Sequence, residues 1–340
     1  MPAIDSSRAP KVSVVTPVHN GAEFLGACLE SVFASDYPEF EVIVVDDAST
    51  DGSASVAAQF PVRLISSTHR RGAAAARNTG AETARGDILF FLDADILIQS
   101  GTLRCIAAEF ANDPAVSALF GSYGTHTVPA NFFSRYKNLV HHFTHQNSSV
   151  EASTFCSGFG AIRREAFERM RGFDPDFRYL EDIELGYRMM RAGIRIRLRK
   201  DLQFTHCKRY SFSSLIRSDV AGRAIPWTRL MLARGVFRND LNTRWNNVLS
   251  VPVAFLLLLC PVFFRHAWAA AALSIVFLAL NAKFLSLTYR EGGPRFALAS
   301  SLMCWFSYLY SGLGVAAGAL SHGFSRTRAL FRPAARVIDA

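Results

Sequence analysis

The sequence lacks cysteine pairs at the spacing of disulfide frameworks or zinc sites. Its six cysteines are scattered along 340 residues, and no two of them stand in a CxxC arrangement. This pattern is typical of buried, reduced thiols in a cytosolic protein. The first ten residues, MPAIDSSRAP, also lack the apolar core of a cleavable signal peptide. We therefore expect the N-terminal part of the chain to stay in the cytoplasm.

Two common phosphate-binding motifs are missing as well. No GxGxxG follows the first predicted strand, and GxxxxGK[ST] occurs nowhere. These absences exclude an ordinary dinucleotide site and a P-loop. The stretch GLGVAAG at 312–318 lies within an apolar segment. We predict that its small residues pack helices against each other.

Acidic residues are outnumbered by basic ones. The chain has 37 Lys and Arg against 28 Asp and Glu, for a net charge of +9. The basic stretch 208–244 runs directly into an apolar C-terminal part. That position favours contact with anionic lipid or with a phosphate-bearing substrate. No DNA- or RNA-binding motif accompanies it, so we expect no nucleic acid partner.

Long apolar runs are concentrated near the C-terminus, at 248–264, 267–289 and 296–320. A spanning helix needs about 20 apolar residues, so these runs predict two or three transmembrane helices. If three segments cross from a cytoplasmic domain, the arginines of the C-terminal tail lie outside, against the positive-inside tendency. Either that tendency is broken here or one segment is re-entrant.

The first 120 residues alternate between short β-branched runs and segments with helical spacing. Strands are predicted at 12–16, 41–46, 62–66 and 87–93, with helices between them. This alternation predicts an α/β fold with a mostly parallel sheet covered on both faces. Ligands of such sheets bind beyond the carboxyl ends of the strands. Polar residues follow all four strands, which predicts a shared crevice there.

Carboxylates are the chemical groups that this crevice offers. Asp47 follows the second strand, and Asp93 and Asp95 follow the fourth. Residues i and i+2 of an extended stretch face the same way, so Asp93 and Asp95 point into one site. Two such charges repel unless a cation lies beside them, and oxygen ligands suit Mg²⁺ or Mn²⁺. The alternative is a helix cap with a salt bridge from Arg85 or Arg104.

Five motifs, in this order, resemble a family 2 glycosyltransferase with the GT-A fold. They are VSVVTPVHN, VVDDASTDGS, RRGAAAARNTG, FFLDADI and YLEDIEL. The resemblance covers residues 11–210. It implies an inverting, metal-dependent enzyme that takes a sugar from a UDP- or GDP-sugar donor and uses Mg²⁺ or Mn²⁺. The remaining boundaries that we predict are a tail at 1–10, the glycosyltransferase domain at 11–207, a basic amphipathic interfacial region at 208–247, transmembrane helices at 248–322 and a basic tail at 323–340.

The resemblance also implies roles for individual residues. The donor nucleotide would be bound by Thr16, Pro17, Asp47, Arg71, Arg77 and Asp93. The metal would be bound by Asp93, Asp95 and His206. Asp182 would be the catalytic base with Glu181 beside it, and Gly158 and Gly160 would shape the acceptor region. Taken alone, Glu181 and Asp182 also fit first-turn acids of a helix, and His206 fits a structural histidine.

The run HHFTH at 141–145 suggests metal binding by composition, but it has no counterpart in the family pattern. We predict that it belongs to a solvated or acceptor-side loop. The whole chain is then expected to act at the inner (cytoplasmic) membrane, with the catalytic domain on the cytoplasmic side. The acceptor would be a lipid-linked sugar carrier or a glycan, and membrane lipids would be partners. The alternatives are a nucleotidyltransferase and a non-catalytic sugar-nucleotide-binding subunit.

Overall fold

The structure is a computed structural model that describes residues 10–238, 240–263 and 267–330, without the side chains of Asn242, 261–263 and 325–330. The predicted N-terminal tail, apart from its last residue, and the arginine side chains of the C-terminal tail lie outside the described part. The elements are β1 Val12–Val18, α1 Ala22–Phe33, β2 Phe40–Asp46, α2 Ser53–Ala57, β3 Arg63–Ser66, α3 Ala73–Thr83, β4 Ile88–Leu92, β5 Ile96–Leu97, α4 Thr102–Asn112, β6 Val116–Thr127, α5 Phe132–Gln146, β7 Phe159–Arg163, α6 Arg164–Arg169, α7 Glu181–Arg191, β8 Arg195–His206, α8 Phe212–Asp219, α9 Ile225–Arg234, α10 Trp245–Phe263 and α11 Ala267–Leu330.

Eight strands form one mixed sheet in the order β3-β2-β1-β4-β7-β6-β8-β5. The pairs β1–β2, β1–β4, β2–β3 and β6–β8 are parallel, and the other three are antiparallel. The sheet is apolar on both faces because helices cover both of them. Successive side chains of β4 show this: Phe90 packs edge-on to Phe159 in one core, and Phe91 packs edge-on to Phe173 in the other.

The short strand β5 determines the geometry of one corner of the sheet. It begins directly after the turn that carries Asp93 and Asp95, and it pairs antiparallel with the end of β8. In this pairing Ile96 lies opposite His206. The backbone N–H of Cys207 also donates to the carbonyl of Asp95 at 2.7 Å. The fourth-strand aspartates are thereby brought beside a histidine that is more than 100 positions away in the chain.

The prediction that HHFTH belongs to a solvated or acceptor-side loop is wrong as to the loop and its solvation. This stretch belongs to α5, whose residues His141 and His145 are buried. The helix begins at an Asn131 cap that accepts a hydrogen bond from the Ser134 N–H. The ring of His141 stacks on Tyr123 with centroids 4.7 Å apart. Local polarity suggested exposure, but packing between the sheet and the C-terminal helices buries one face of this helix.

The long apolar element α11 is two helical arms and not one rod. Its backbone leaves helical geometry at Gly293 (φ 74°, ψ −174°), directly before Pro294. Asn281 and Tyr308 are 27 positions apart, which would be about 40 Å along a straight helix. Their side chains are instead hydrogen-bonded at 2.9 Å. The arms therefore fold back on each other as a helical hairpin.

The region before the hairpin packs between the sheet domain and the hairpin. The indole N–H of Trp227, in α9, donates to the Tyr187 hydroxyl of α7 at 2.9 Å. On the other side, a Cβ at Gly318 would lie 2.8 Å from the carbonyl oxygen of Ile225. A Cβ at Gly314 would lie 2.8 Å from Ala224. The prediction that the small residues of 312–318 pack helices is thus confirmed.

One described helix is long and apolar enough to cross a membrane, the stretch Ala267–Phe324 that forms the hairpin. The helix at Trp245–Cys260 is apolar but shorter. Large apolar side chains point outward from both, among them Leu298, Leu302 and Leu313, each more than 60% exposed. By length and composition alone, this is a weak sign of membrane association.

Candidate functional site

The carboxylate after β2 supports the neighbouring turn. Asp47 is buried, and its two carboxylate oxygens accept the backbone N–H groups of Arg71 and Gly72 at 2.7 and 2.8 Å. Gly72 has a positive φ of 94°, a conformation that favours glycine. Asp47 thus fixes the turn that leads into α3. Arg71 lies in this turn, and its contact with Asp47 is made by its backbone N–H group.

Thr16 and Pro17 lie on β1, next to this turn in the sheet. Thr16 is fully buried, and its hydroxyl has no hydrogen-bond partner among the described residues. Pro17 is half-buried and pairs with Val45 of β2. Both residues are near the carboxyl end of β1, which is a central strand of the sheet. They therefore lie at the edge where the predicted crevice opens.

Arg77 connects two parts of the site that are far apart in sequence. Its guanidinium is buried and donates to Asp93 Oδ1 and to Glu181 Oε1, both at 2.6 Å. Asp93 directly follows β4, and Glu181 begins α7. Because its two terminal nitrogens, Nη1 and Nη2, each donate to a carboxylate, Arg77 holds these two elements together. The resemblance implied a donor contact for Arg77; the structure gives it this bridging position.

The glycine turn before β7 lies directly against Asp93. The Asp93 N–H donates to the Gly158 carbonyl at 2.9 Å. A Cβ at Gly158 would lie 2.9 Å from Asp93 Oδ2, and one at Gly160 would lie 2.3 Å from the Cys156 carbonyl. Only residues without a side chain allow so close an approach. Gly158 is thus in contact with the first aspartate of the pair, and Gly160 lies deeper, beneath the turn.

Asp95 and His206 form the second half of this corner. His206 Nε2 lies 3.7 Å from Asp95 Oδ1, and the imidazole packs edge-on to Tyr123. Burial lowers the pKa of His206, and the Asp95 charge opposes that shift. Asp93 keeps one oxygen, Oδ2, that does not pair with Arg77. No group of three or more His, Cys, Asp or Glu side chains converges on a metal position within the described residues.

The donor set nevertheless fits a hard divalent cation. Mg²⁺ and Mn²⁺ commonly use one or two carboxylates from the protein and take further oxygens from substrate phosphates. Asp95, His206 and the second oxygen of Asp93 are of the right chemical type and lie at one edge. A site of this kind needs fewer than a full cage of protein ligands.

Asp182 lies one residue beyond Glu181 at the start of α7. Its carboxylate accepts the N–H groups of Ser157 and Ile183 at 3.2 and 2.8 Å. Burial and the neighbouring Glu181 charge raise its pKa to about 7, against the opposing effect of Arg77. Leu180, the residue directly before α7, has a positive φ of 64°, which is strained for a leucine. A carboxyl that titrates near neutrality is suited to proton transfer.

Sequence patterns missed two groups near this corner. Tyr123 contacts the rings of His141, His145 and His206, so one aromatic side chain connects α5 to the Asp95 corner. The Lys208 ammonium lies 5.7 Å over the Tyr210 ring, and electrostatic interaction with Tyr210, Asp95 and Asp93 raises the pKa of Lys208 against the opposing effect of burial. Neither residue belongs to one of the five motifs. In the sequence, Lys208 is marked only as the first residue of the basic stretch 208–244, two residues after His206.

Comparison with known proteins agrees with this geometry. Residues 13–171 match the model of glycosyl transferase family 2. The chain is 42% identical over 97 residues to glycosyltransferase AglE of Haloferax volcanii, covering 26% of this chain and 32% of that protein. It is 30% identical over 197 residues to the pre-mycofactocin glycosyltransferase of Mycobacterium tuberculosis, covering 55% of this chain and 40% of that protein. The chain thus spans well under half the length of these two relatives.

A third relative is covered more fully. It is an uncharacterized glycosyltransferase of Haemophilus influenzae, 25% identical over 226 residues, with 64% of this chain and 76% of that protein covered. This match reaches beyond the segment that the family model covers.

Solved structures share the fold. Mannosyltransferase PcManGT from Pyrobaculum calidifontis, in complex with GDP-Man and Mn²⁺, superposes with a TM-score of 0.59 at 24% identity, covering 89% of each chain. S. aureus TarS 1–349 in complex with UDP-GlcNAc superposes with a TM-score of 0.51 at 17% identity, covering 94% of this chain and 92% of that one. These likenesses confirm the predicted GT-A fold. Residues 13–171 therefore carry a domain of glycosyltransferase family 2.

Proposed function

We propose that this protein is a membrane-anchored, inverting glycosyltransferase that moves a sugar from a nucleotide-sugar donor to a lipid-linked or glycan acceptor. The observation that carries the proposal is the Arg77 bridge between Asp93 and Glu181. It joins the carboxylate corner after β4 to the start of α7, where Asp182 titrates near neutrality. A donor-binding corner and a proton acceptor thereby belong to one connected cluster.

The donor is proposed to be a UDP- or GDP-sugar. The proposal draws support from two fold neighbours, one in complex with GDP-Man and Mn²⁺ and one with UDP-GlcNAc. In this chain the nucleotide would lie against Thr16, Pro17 and the turn that Asp47 supports. The diphosphate would reach the corner of Asp93 and Asp95.

Asp95, His206 and Asp93 Oδ2 would hold a Mg²⁺ or Mn²⁺ ion. When bound, such an ion neutralises charge on the departing diphosphate. Arg77 contributes by keeping Asp93 in one orientation, since its own charge is already paired with carboxylates. The two carboxylates at this corner then face the donor at a defined spacing.

Asp182 would act on the acceptor. It takes the proton of the acceptor hydroxyl while that oxygen attacks the anomeric carbon. The bond from that carbon to the diphosphate oxygen breaks, and its electron pair leaves with the nucleoside diphosphate. One displacement from the opposite face inverts the anomeric configuration. If the acceptor oxygen belongs to a phosphate, it is already anionic, and Asp182 orients it instead.

The C-terminal hairpin would place this site at the inner membrane, with the sheet domain on the cytoplasmic side. The proposal is supported by the outward-facing apolar side chains of α10 and α11. The basic interfacial region packs between hairpin and sheet domain, where it would meet anionic headgroups. A lipid-linked acceptor would then arrive in the plane from which the site opens.

A donor screen tests the proposal. Purified full chain in detergent is incubated with UDP- and GDP-sugars, with and without Mn²⁺, and nucleoside diphosphate release is measured with and without a short polyprenyl phosphate. We expect metal-dependent release that the lipid stimulates. Asp182→Asn should reduce release by at least about 100-fold, in the range of a lost general base. Asp176→Asn, an exposed carboxylate just before α7, is the matched control and should leave the rate unchanged.

The alternatives predict different products. A nucleotidyltransferase would release pyrophosphate from a nucleoside triphosphate, and a non-catalytic subunit would bind a sugar nucleotide without turnover. Release by Asp182→Asn at the wild-type rate would contradict the role proposed for this residue.

A further inference from the structure

A groove of about 520 Å³ lies between α5 and the first arm of α11. It is away from the carboxylate corner described above. Its lining comes from two helices: His142, Phe143, Gln146 and Asn147 from α5, and Ala282, Lys283, Ser286, Leu287 and Arg290 from α11. The groove therefore lies where the sheet domain meets the apolar hairpin.

The groove carries cationic side chains that the protein does not neutralise. Lys283 and Arg290 are seven positions apart on α11, so they lie on one face about 10 Å apart along the axis. Both side chains are exposed, and neither forms an ion pair or a hydrogen bond with another described residue. Two unpaired cations beside a cavity are electrostatically complementary to an anion.

The opposite wall is polar and held in place. The His142 ring donates through Nδ1 to the Tyr123 carbonyl at 2.7 Å. The Gln146 amide donates to the Lys200 carbonyl at 2.8 Å and to the Ser122 hydroxyl at 3.0 Å. These side chains are anchored to strands β6 and β8, so the polar wall is rigid.

The same face of α11 turns from apolar to cationic along its length. Ile275 and Leu278 are exposed apolar residues, 68% and 46% accessible. At 100° per residue they lie on the same side of the helix as Ala282 and Ser286 of the groove. Lys283 follows Ile275 by about 12 Å along the axis. An apolar stripe that ends in a cationic groove matches the two halves of a lipid molecule.

We propose that this groove binds the phosphate headgroup of an anionic phospholipid, with the acyl chains against the Ile275 stripe. The proposal rests on the membrane attachment proposed above. A bound lipid would link α5 to the hairpin. Because α5 also carries His141 and His145, which contact Tyr123 beside His206, the lipid would lie one helix away from the carboxylate corner.

Native mass spectrometry of the full chain tests this site. The protein is purified in detergent and mixed with equal amounts of phosphatidylglycerol and phosphatidylcholine, and the retained lipid is identified. We expect one preferentially retained phosphatidylglycerol. Lys283→Ala/Arg290→Ala should lower its affinity roughly 30-fold, since each basic side chain near an anionic lipid surface contributes roughly fivefold.

Two further variants separate this site from general attraction to charge. Arg217→Ala/Arg229→Ala removes two exposed arginines of the interfacial region, outside the groove, and should retain the lipid. Ser286→Trp fills the groove without changing charge and should lose it. Equal retention of both lipids by the wild type, or unchanged retention in the groove variants, would overturn the site. Flotation with phosphatidylcholine vesicles tests membrane attachment separately. A chain that floats with these vesicles but shows no preference for phosphatidylglycerol in mass spectrometry refutes the lipid site and leaves the proposed attachment in place.

Discussion

At the scale of single residues, the site depends on Arg77. A buried guanidinium is stable only if anions are paired with it, and here Arg77 forms ion pairs with both Asp93 and Glu181. The arrangement works in both directions: the arginine neutralises two carboxylates that would otherwise repel, and they keep it oriented. The nearby Asp182 remains the carboxyl with the raised pKa.

We predict that Arg77→Met lowers the free energy of unfolding by roughly 3 kcal/mol, because losing one partner strands the other charges in a buried site. Thermal and chemical unfolding in detergent measures this. Arg77→Met combined with Glu181→Gln should recover part of the stability, but not the transfer activity. Arg104→Met removes an exposed pair with Asp36 and is the control; it should change stability by less than about 1 kcal/mol.

The pH dependence of transfer should report on Asp182. Its pKa is raised to about 7 by burial and by Glu181, so the carboxyl is protonated and inactive as a base in mildly acidic solution. We expect kcat/KM to rise with pH through about 7 and then level off. A flat profile between pH values of about 5.5 and 8.5 would contradict this assignment of the base.

Asp182 should also affect stability, and here the dependence on pH has the opposite sign: stability falls as pH rises, whereas kcat/KM increases. An aspartate in the unfolded chain releases its proton near pH 4, whereas the folded chain holds it to about 7. Between these values the folded state binds more protons, so the free energy of unfolding falls as pH rises. Asp182→Asn removes that loss and should raise Tm relative to wild type at about pH 8. Equal Tm values for the two proteins would mean that the pKa of the Asp182 carboxyl is not raised in the folded state.

At the scale of elements, the glycine turn before β7 determines the position of the fourth-strand aspartate. Its Gly158 carbonyl accepts the Asp93 N–H, and its missing side chain leaves room for the Asp93 carboxylate. Strand β5 does the same for Asp95 by pairing with β8 beside His206. Two short elements therefore orient the aspartates that a single buried strand presents.

We predict that Gly158→Ala reduces transfer on the order of 100-fold, because a displacement of about 1 Å at a catalytic centre has effects of that size. The new Cβ would lie 2.9 Å from Asp93 Oδ2 and would push the carboxylate away. Initial rates at saturating donor measure the effect. Gly101→Ala is the control, since a Cβ there meets nothing within 4 Å. Normal activity in Gly158→Ala would show that Asp93 has freedom to shift.

At the scale of the whole molecule, a sheet domain of family 2 is packed against an apolar hairpin. Arg135 of α5 donates to the Glu291 carbonyl at 2.9 Å and lies over the Phe296 ring, close to the Gly293 break. The hairpin is thus joined to the domain near its bend. Its outward side remains apolar.

We predict that Leu298→Glu/Leu302→Glu/Leu313→Glu abolishes vesicle flotation while the protein stays folded. These leucines are 67%, 63% and 62% exposed, so they contribute to the outer surface and not to the core. Placing carboxylates there should prevent burial in lipid, because charged groups are costly in a bilayer. Val128→Glu/Val150→Glu changes exposed apolar residues of the sheet domain and should float as wild type does. Flotation of the triple variant would contradict the hairpin's role.

Much of this molecule follows from local sequence pattern. Alternating strands and helices, the acidic residues at strand ends, and the packing role of the glycines at 312–318 are properties of short stretches, and the structure agrees with each. They are predictable because hydrophobic period and chain geometry act over a few residues. The order of the five motifs was sufficient to indicate the family and its fold.

Contacts between distant stretches were decided only by the tertiary structure. Arg77 and Glu181 are 104 positions apart, and no local pattern pairs them. His141 and His145 are buried because their rings pack on Tyr123 of β6, which also contacts His206 more than 60 residues later in the chain, and polarity alone predicted the opposite. The physical reason is the same in both cases: a buried charge or a buried polar helix is stable only with partners that the fold supplies. The sequence by itself determined which groups are present and at which strand ends; the packing of distant elements decided which of them meet.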